Sequence, residues 1–196
     1  MTTVLRFKQW QIVQYATIFI ATVFAFILFV NGTNESSFRI AIRFTARSSC
    51  ILFILTFSAS SLCRLFPNSI SNWLFKNRRY LGLSMAVSHS FHAVAIAGVA
   101  VLSSENMMRD SHLATLGYIF ILLMSITSFE RPAAILGKRA WRILHTLGMY
   151  YLWLSFITSF SKRLGESWFI YSPFVFILIL AFLLRFIPSK KRYKQQ

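Results

Sequence analysis

Six long apolar runs dominate the sequence, and short segments that carry charged residues separate them. The runs cover residues 12–30, 48–63, 80–102, 113–129, 140–160 and 168–187. Most of them reach the roughly 17–25 residues that a helix needs to cross about 30 Å of hydrocarbon. The run at 48–63 is the shortest, and Arg47 and Arg64 can extend it by reaching toward the interface. Because barrel-type alternation is absent, the sequence predicts an all-α membrane protein, a six-helix transmembrane bundle.

Composition and segment lengths limit what else the chain can contain. Charged residues make up 13% of the chain, whereas a soluble domain carries about a quarter. No internal repeat or long linker is visible, so residues 1–196 are predicted to form one domain. The longest connection on the basic side, residues 64–79, could hold one short interfacial helix after Pro67. No segment is long enough to fold around a flavin or a nicotinamide, so any reductive chemistry must take its electrons from another protein.

The basic residues predict the orientation of the bundle. Fifteen of the 21 lysines and arginines fall on one side of the predicted spans, and they are Arg6, Lys8, Arg64, Lys76, Arg78, Arg79, Arg131, Lys138, Arg139, Arg142, Arg185, Lys190, Lys191, Arg192 and Lys194. By the positive-inside rule, both termini are cytoplasmic and the chain is a multi-pass membrane protein. The net charge of +16 therefore indicates topology and attraction to anionic lipid. Since the basic residues are spread over short segments without a basic domain, no nucleic-acid partner is expected.

Two histidines lie within the apolar runs, His92 in the third and His145 in the fifth. An ionisable side chain at membrane depth is costly and indicates a functional site. In a helical bundle, such histidines typically bind haem iron. The alternatives are a polar residue that bonds a neighbouring helix for His92 and an interfacial residue for His145.

Three motifs surround these histidines. Residues 77–83 read NRRYLGL before the third run, residues 136–145 read LGKRAWRILH before the fifth, and residues 44–47 read FTAR before the second. Together they resemble the ferric-reductase-like transmembrane family, most closely its small bacterial branch, the haem-binding membrane subunit of the methionine sulfoxide reductase system. The resemblance implies b-type haem held between the third and fifth helices, and FMN is possible by resemblance only. It also implies a cytoplasmic flavin reductase-type donor and a periplasmic acceptor protein.

The family pattern transfers only in part to this chain. The inner position of the third helix falls on Arg78 and the outer position on His92, while the inner position of the fifth helix falls on His145. The outer position of the fifth helix falls on Thr158, which cannot bind iron. On straight helices the heights of His92 and His145 then differ by about 20 Å, so one haem cannot be bound by both.

His92 and His145 are therefore the candidate cofactor-binding and metal-binding residues, and His89 is a further candidate. His89 lies one turn before His92 and shares much of its face, so it could be a substitute ligand, a hydrogen-bond donor to the site or a packing residue. Arg39, Arg43 and Arg47 recur every fourth residue and share a helical face. They could bind haem propionates, an anionic partner or lipid phosphates.

The resulting prediction is transmembrane electron transfer through b-type haem, by a subunit of an oxidoreductase system rather than a complete enzyme. The alternative is a family member that has lost its haem and acts as a membrane scaffold or partner-binding subunit. Other catalytic classes are not indicated, because all five acidic residues lie in predicted loops. The sequence also has no serine–histidine–acid arrangement and no metal-ligand spacing.

Overall fold

The computed structural model of the chain describes residues 9–103 and 112–188, with the side chains of residues 112 and 113 left out. Seven α-helices and no strands occupy this part of the chain. They are α1 (Gln9–Asn31), α2 (Glu35–Leu65), α3 (Ser69–Leu102), α4 (His112–Ile126), α5 (Glu130–Leu136), α6 (Lys138–Lys162) and α7 (Trp168–Leu183). The predicted all-α class is confirmed.

Several of these helices have the length and hydropathy of a membrane span. Four of the described helices, α1, α2, α3 and α6, are long and apolar enough, and α4 with α5 gives a fifth candidate despite a bend of 109° between them. The last helix, α7, is apolar but only 16 residues long. The structure is therefore compatible with a multi-pass membrane protein. The sixth crossing stays a prediction, as does the side of the termini, because residues 1–8, 104–111 and 189–196 lie outside the described part.

Helix α2 begins more than three turns before the predicted start of the second span at Ser48. The side chain of Asn34 caps the helix by accepting a hydrogen bond from the backbone N–H of Ser37 at 3.0 Å. Glu35 lies in the first turn, where a carboxylate is favoured, and it pairs with Arg39 at 2.6 Å. The arginines at 39, 43 and 47 therefore belong to the same helix as the second apolar run.

The short interfacial helix predicted within residues 64–79 does not exist as a separate element, and that prediction was wrong. Residues 69–79 form instead the first turns of α3, which continues unbroken to Leu102. Asn68 starts the helix through a capping box with Ser71, two residues after Phe66 ends α2. No proline interrupts residues 69–102, so nothing separates the interfacial turns from the apolar ones.

The chain turns sharply where α4 ends. The hydroxyl groups of Thr127 and Ser128 donate to the carbonyl groups of Leu123 at 2.6 Å and Met124 at 2.7 Å. The Trp141 indole N–H of α6 donates to the Thr127 carbonyl at 2.9 Å. Gly137, with a φ of 78°, connects α5 to α6 in a conformation that glycine adopts without a side-chain clash.

Helices α2 and α3 form a hairpin that is joined by hydroxyl groups. The Ser88 hydroxyl of α3 lies 2.8 Å from that of Ser48 and accepts from that of Ser49 at 2.9 Å. Further along, Gly98 packs directly on the ring of Phe38. Small residues let two backbones approach closely, and such polar pairs hold helices together where no water competes.

Candidate functional site

Two cavities open within the bundle, near its opposite ends. The outer cavity, named for the side that the basic residues predict, has a volume of about 570 Å³ and is lined by side chains within residues 42–47 of α2, 92–100 of α3, 114–118 of α4 and 159–163 at the end of α6, and by Tyr171 of α7. The inner cavity has a volume of about 550 Å³ and is lined by residues 53–60, 78–86, 121–133 and 141–149, together with Arg185. Both volumes lie within the range of roughly 300–1,000 Å³ that is usual for cofactor and small-molecule sites.

His92 lines the outer cavity, and a hydroxyl group of α2 fixes its ring. Its Nδ1 lies 3.0 Å from the Thr45 Oγ1, which in turn lies 2.7 Å from the Ala41 carbonyl oxygen. The Ala41 carbonyl is the nearer partner of the Thr45 hydroxyl, so we assign the hydroxyl proton to that carbonyl and the donor role in the His92–Thr45 contact to Nδ1. Nε2 is then the unprotonated nitrogen, the state that a histidine needs to bind a metal ion.

Three arginines give the outer cavity a positive lining: Arg43, Arg47 and Arg163. The Arg47 Nε is buried and has no hydrogen-bond partner among the described residues, and its guanidinium lies 5.5 Å from the centre of the Tyr171 ring. Arg39, the third member of the arginine face of α2, does not line the cavity and pairs with Glu35 instead. Arginine is the side chain best suited to bind carboxylates such as haem propionates.

His89 lies deeper in the bundle than His92 and lines neither cavity. Its ring centre is 5.0 Å from that of His92, 5.0 Å from that of Tyr118 and 6.0 Å from that of Phe156. The Nδ1 of His89 and the hydroxyl oxygen of Tyr118 are both buried without a hydrogen-bond partner among the described residues. The ring of His89 therefore packs against the ring of His92 and does not line the outer cavity.

Tyr118 is a cavity residue that the sequence analysis missed. It lines the outer cavity from α4, opposite the motifs on which the family resemblance depends. One tyrosine within an apolar run gives no signal in the sequence, because an aromatic side chain there usually faces lipid or the core.

His145 lies in the inner cavity, where its ring has partners on two sides. Its Nε2 is 3.1 Å from the Thr127 Oγ1, and the ring of Trp141 stacks on it with centres 4.2 Å apart. Because the Thr127 hydroxyl donates to Leu123, the Nε2 of His145 is the protonated nitrogen. His92 and His145 thus belong to different cavities, which agrees with the difference in height that the sequence implies.

Thr158 does not face His92. Its side chain is exposed, its hydroxyl donates to the Leu154 carbonyl at 2.8 Å, and it does not line the outer cavity, whereas Ser159 and Phe160 of α6 do. At 100° per residue, a step of fourteen residues from His145 returns to within about 40° of the same face, whereas a step of thirteen leaves the side chain about 140° away. Helical periodicity alone could have identified Ser159.

The outer cavity fits a haem held by one protein ligand. His92 offers an unprotonated Nε2, the three arginines offer partners for propionates, and the small residues Ala93, Ala97 and Ala100 leave room for a flat macrocycle. No second histidine, and no cysteine or methionine, lines this cavity in the described part of the chain. The described residues also contain no group of three histidine, cysteine or acidic side chains that could hold a bare metal ion.

Comparison of the chain with protein-family models, with curated proteins and with solved structures gives no match. The family resemblance therefore depends on the motifs of α2, α3 and α6 quoted above.

Proposed function

We propose that this chain carries electrons across the cell inner membrane through b-type haem bound in the outer cavity. A cytoplasmic flavin-dependent protein would donate the electrons, and a protein on the outer face would accept them. In this proposal α1, α2, α3, α4, α6 and α7 are the six spans and both termini are cytoplasmic. The chain is then an electron-transfer subunit of an oxidoreductase system.

The observation that supports this proposal most strongly is the environment of His92. The ring of His92 contacts α2 through the Thr45 hydroxyl, 3.0 Å from Nδ1, and also lines a cavity of about 570 Å³. Ionisable groups at this depth are functional-site candidates by default. Here the candidate stands beside three arginines that have few acidic partners, which is a suitable environment for a dianionic macrocycle.

Different residues of the cavity would bind different parts of the cofactor. Haem, when bound, supplies the one-electron chemistry. His92 would ligate the iron, and Thr45 would keep the imidazole in one tautomer and one orientation. Arg43, Arg47 and Arg163 would neutralise the propionates, and the alanines of α3 would exclude water from the macrocycle faces.

The absorption spectrum of the detergent-solubilised protein tests this function. Protein from haem-replete cells should show a Soret band, and His92→Ala should abolish or shift it. His145→Ala is the matched control, since it removes a histidine from the other cavity and should leave the band of the outer haem in place. A Soret band that survives His92→Ala unchanged would reject His92 as the ligand.

A membrane scaffold or partner-binding subunit without haem is the second candidate function. The observation that favours it is Ser159, because the side chain that faces the cavity from α6 at the height of the missing ligand cannot bind iron. A colourless protein from haem-replete cells would support this candidate over electron transfer.

A further inference from the structure

The inner cavity carries an excess of positive charge that its own residues do not neutralise. Four arginines line it, Arg78, Arg79, Arg142 and Arg185, and Glu130 is the one acidic residue among the lining. No ion pair of Glu130 with any of these arginines lies within 4.0 Å in the described part of the chain. Like charges that line one cavity repel one another, and a bound anion would relieve that repulsion.

Two of these guanidinium groups are also incompletely hydrogen-bonded. The Nε of Arg79 and the Nη1 of Arg185 are buried and have no hydrogen-bond partner among the described residues. The Arg185 guanidinium is held 4.2 Å from the ring centre of Phe57 and 4.9 Å from that of Tyr150. Burying an N–H of a charged group without an acceptor is costly, so the arrangement is suited to a bound anion.

Much of the remaining cavity lining is apolar, and the polar side chains among it are Thr56, Ser60, Ser125, Thr127, Ser128, His145 and Thr146. Phe53, Leu83, Met85 and Ile121 extend from the arginines toward the middle of the bundle. A ligand that fills the whole cavity must therefore join an anionic group to a long apolar one. The cavity also opens at the end of the bundle that carries most of the basic residues, where an anionic leaflet is expected.

We propose that the inner cavity binds an anionic phospholipid, with its phosphate held by arginines of the lining and an acyl chain along the apolar part of the wall. Basic cavities between transmembrane helices on this side of a membrane bind such headgroups by charge-assisted hydrogen bonds. This site does not depend on haem in the outer cavity. A soluble phosphate monoester shares the headgroup chemistry but would leave the apolar wall unfilled.

Competition between lipids tests the proposal on the full-length protein. The protein is purified from bilayers that contain equal amounts of phosphatidylglycerol and phosphatidylcholine, and the retained lipid is measured by native mass spectrometry. The wild-type chain should retain phosphatidylglycerol selectively. The double variant Arg79→Gln/Arg185→Gln should lower that retention by about tenfold or more, as expected for the loss of charge-assisted hydrogen bonds.

The double variant Arg131→Gln/Arg139→Gln is the matched control, since it removes the same charge from exposed positions outside the cavity lining. It should retain as much phosphatidylglycerol as the wild-type chain does. An equal loss in both double variants would overturn the site, because attraction to the basic surface in general would then explain the binding.

Three other results would overturn the proposal. One is a wild-type chain that retains as much phosphatidylcholine as phosphatidylglycerol. This comparison uses the wild-type chain alone and so does not depend on the folding of a variant. Another is full displacement of the lipid by glycerol 3-phosphate, which would identify a site for soluble phosphate esters. The last is a lower Soret absorbance per chain in Arg79→Gln/Arg185→Gln with lipid retention unchanged, which would show that the cavity holds a macrocycle.

Discussion

At His92, one hydroxyl group determines which ring nitrogen is available to a metal ion. Thr45→Val keeps the shape of that side chain but removes the acceptor of the Nδ1 proton. Because the loss of such a partner typically lowers affinity at a histidine ligand by about 10–100-fold, haem titration of the variant should show weaker binding in that range. Thr56→Val is the control, since the Thr56 hydroxyl bonds only the carbonyl of its own helix at Leu52. Equal affinities for the wild-type protein and Thr45→Val would show that the tautomer does not matter.

If haem binds to His92, residue 159 of α6, which lines the same cavity, governs the sixth coordination position of the iron. With serine there, a haem on His92 has an open or weakly held sixth position and should give high-spin spectra and bind carbon monoxide. Ser159→His should shift the spectrum toward low spin, because its side chain lines the outer cavity. Thr158→His should not, because residue 158 does not line the outer cavity. A wild-type spectrum that is already low-spin, and that depends on His145, would contradict the assignment of the two histidines to separate cavities.

The site residues differ in how far sequence reasoning can identify them. His92 is visible because polar groups are rare in an apolar run, and the arginines of α2 are visible because they recur every fourth residue. Ser159 follows from counting helical turns, but only once the boundaries of α6 are accepted. The position of Tyr118 in the cavity depends on the packing of α4 beside α3, which no local sequence pattern predicts. In the sequence, Tyr118 also cannot be distinguished from other aromatic residues within apolar runs.

Close packing between α2 and α3 makes Gly98 the sensitive position of that element pair. A Cβ atom there would meet the ring of Phe38 at 2.5 Å, so Gly98→Ala should destabilise the protein by about 1–3 kcal/mol, as overpacking usually does. Gly82→Ala is the control on the same helix. Its Cβ would lie 3.6 Å from the Thr56 Cγ2, an ordinary contact, so a small gain from helix propensity is expected. Thermal unfolding in detergent measures both, and equal midpoints would contradict the close approach.

Element boundaries were harder to predict than the elements themselves. The apolar runs located α1, α3 and α6, but hydropathy does not register the turns of α2 that precede Ser48, because arginines interrupt them. Those turns are helical since Asn34 caps them and Glu35 pairs with Arg39. The end of α4 depends on the hydroxyl bonds of Thr127 and Ser128, which look like ordinary polar residues in the sequence.

For the whole molecule, the short helix α7 decides the topology. If α7 crosses the membrane, reporters fused at Gly165 and at Gln196 should report opposite sides, with Gln196 in the cytoplasm. Gly165 lies in the connection between α6 and α7, where an added side chain meets nothing within 4 Å. A reporter at Arg109 is expected on the same side as Gly165. If the reporters at Gly165 and Gln196 lie on the same side, α7 does not cross the membrane. The chain would then have five crossings at most, and with five its two ends would lie on opposite faces.

The pairing of α2 with α3 has a consequence for the order in which the protein is made. Only residues 66–68 connect the two helices, so α2 and α3 can pair without any later part of the chain. Both helices leave the ribosome before α4, α6 and α7 do, so Thr45, Arg47 and His92 are already positioned on one hairpin while the rest of the outer cavity does not yet exist. Any ligand of that cavity that reaches the growing chain therefore meets an open half-site, and the later helices close over it from one side.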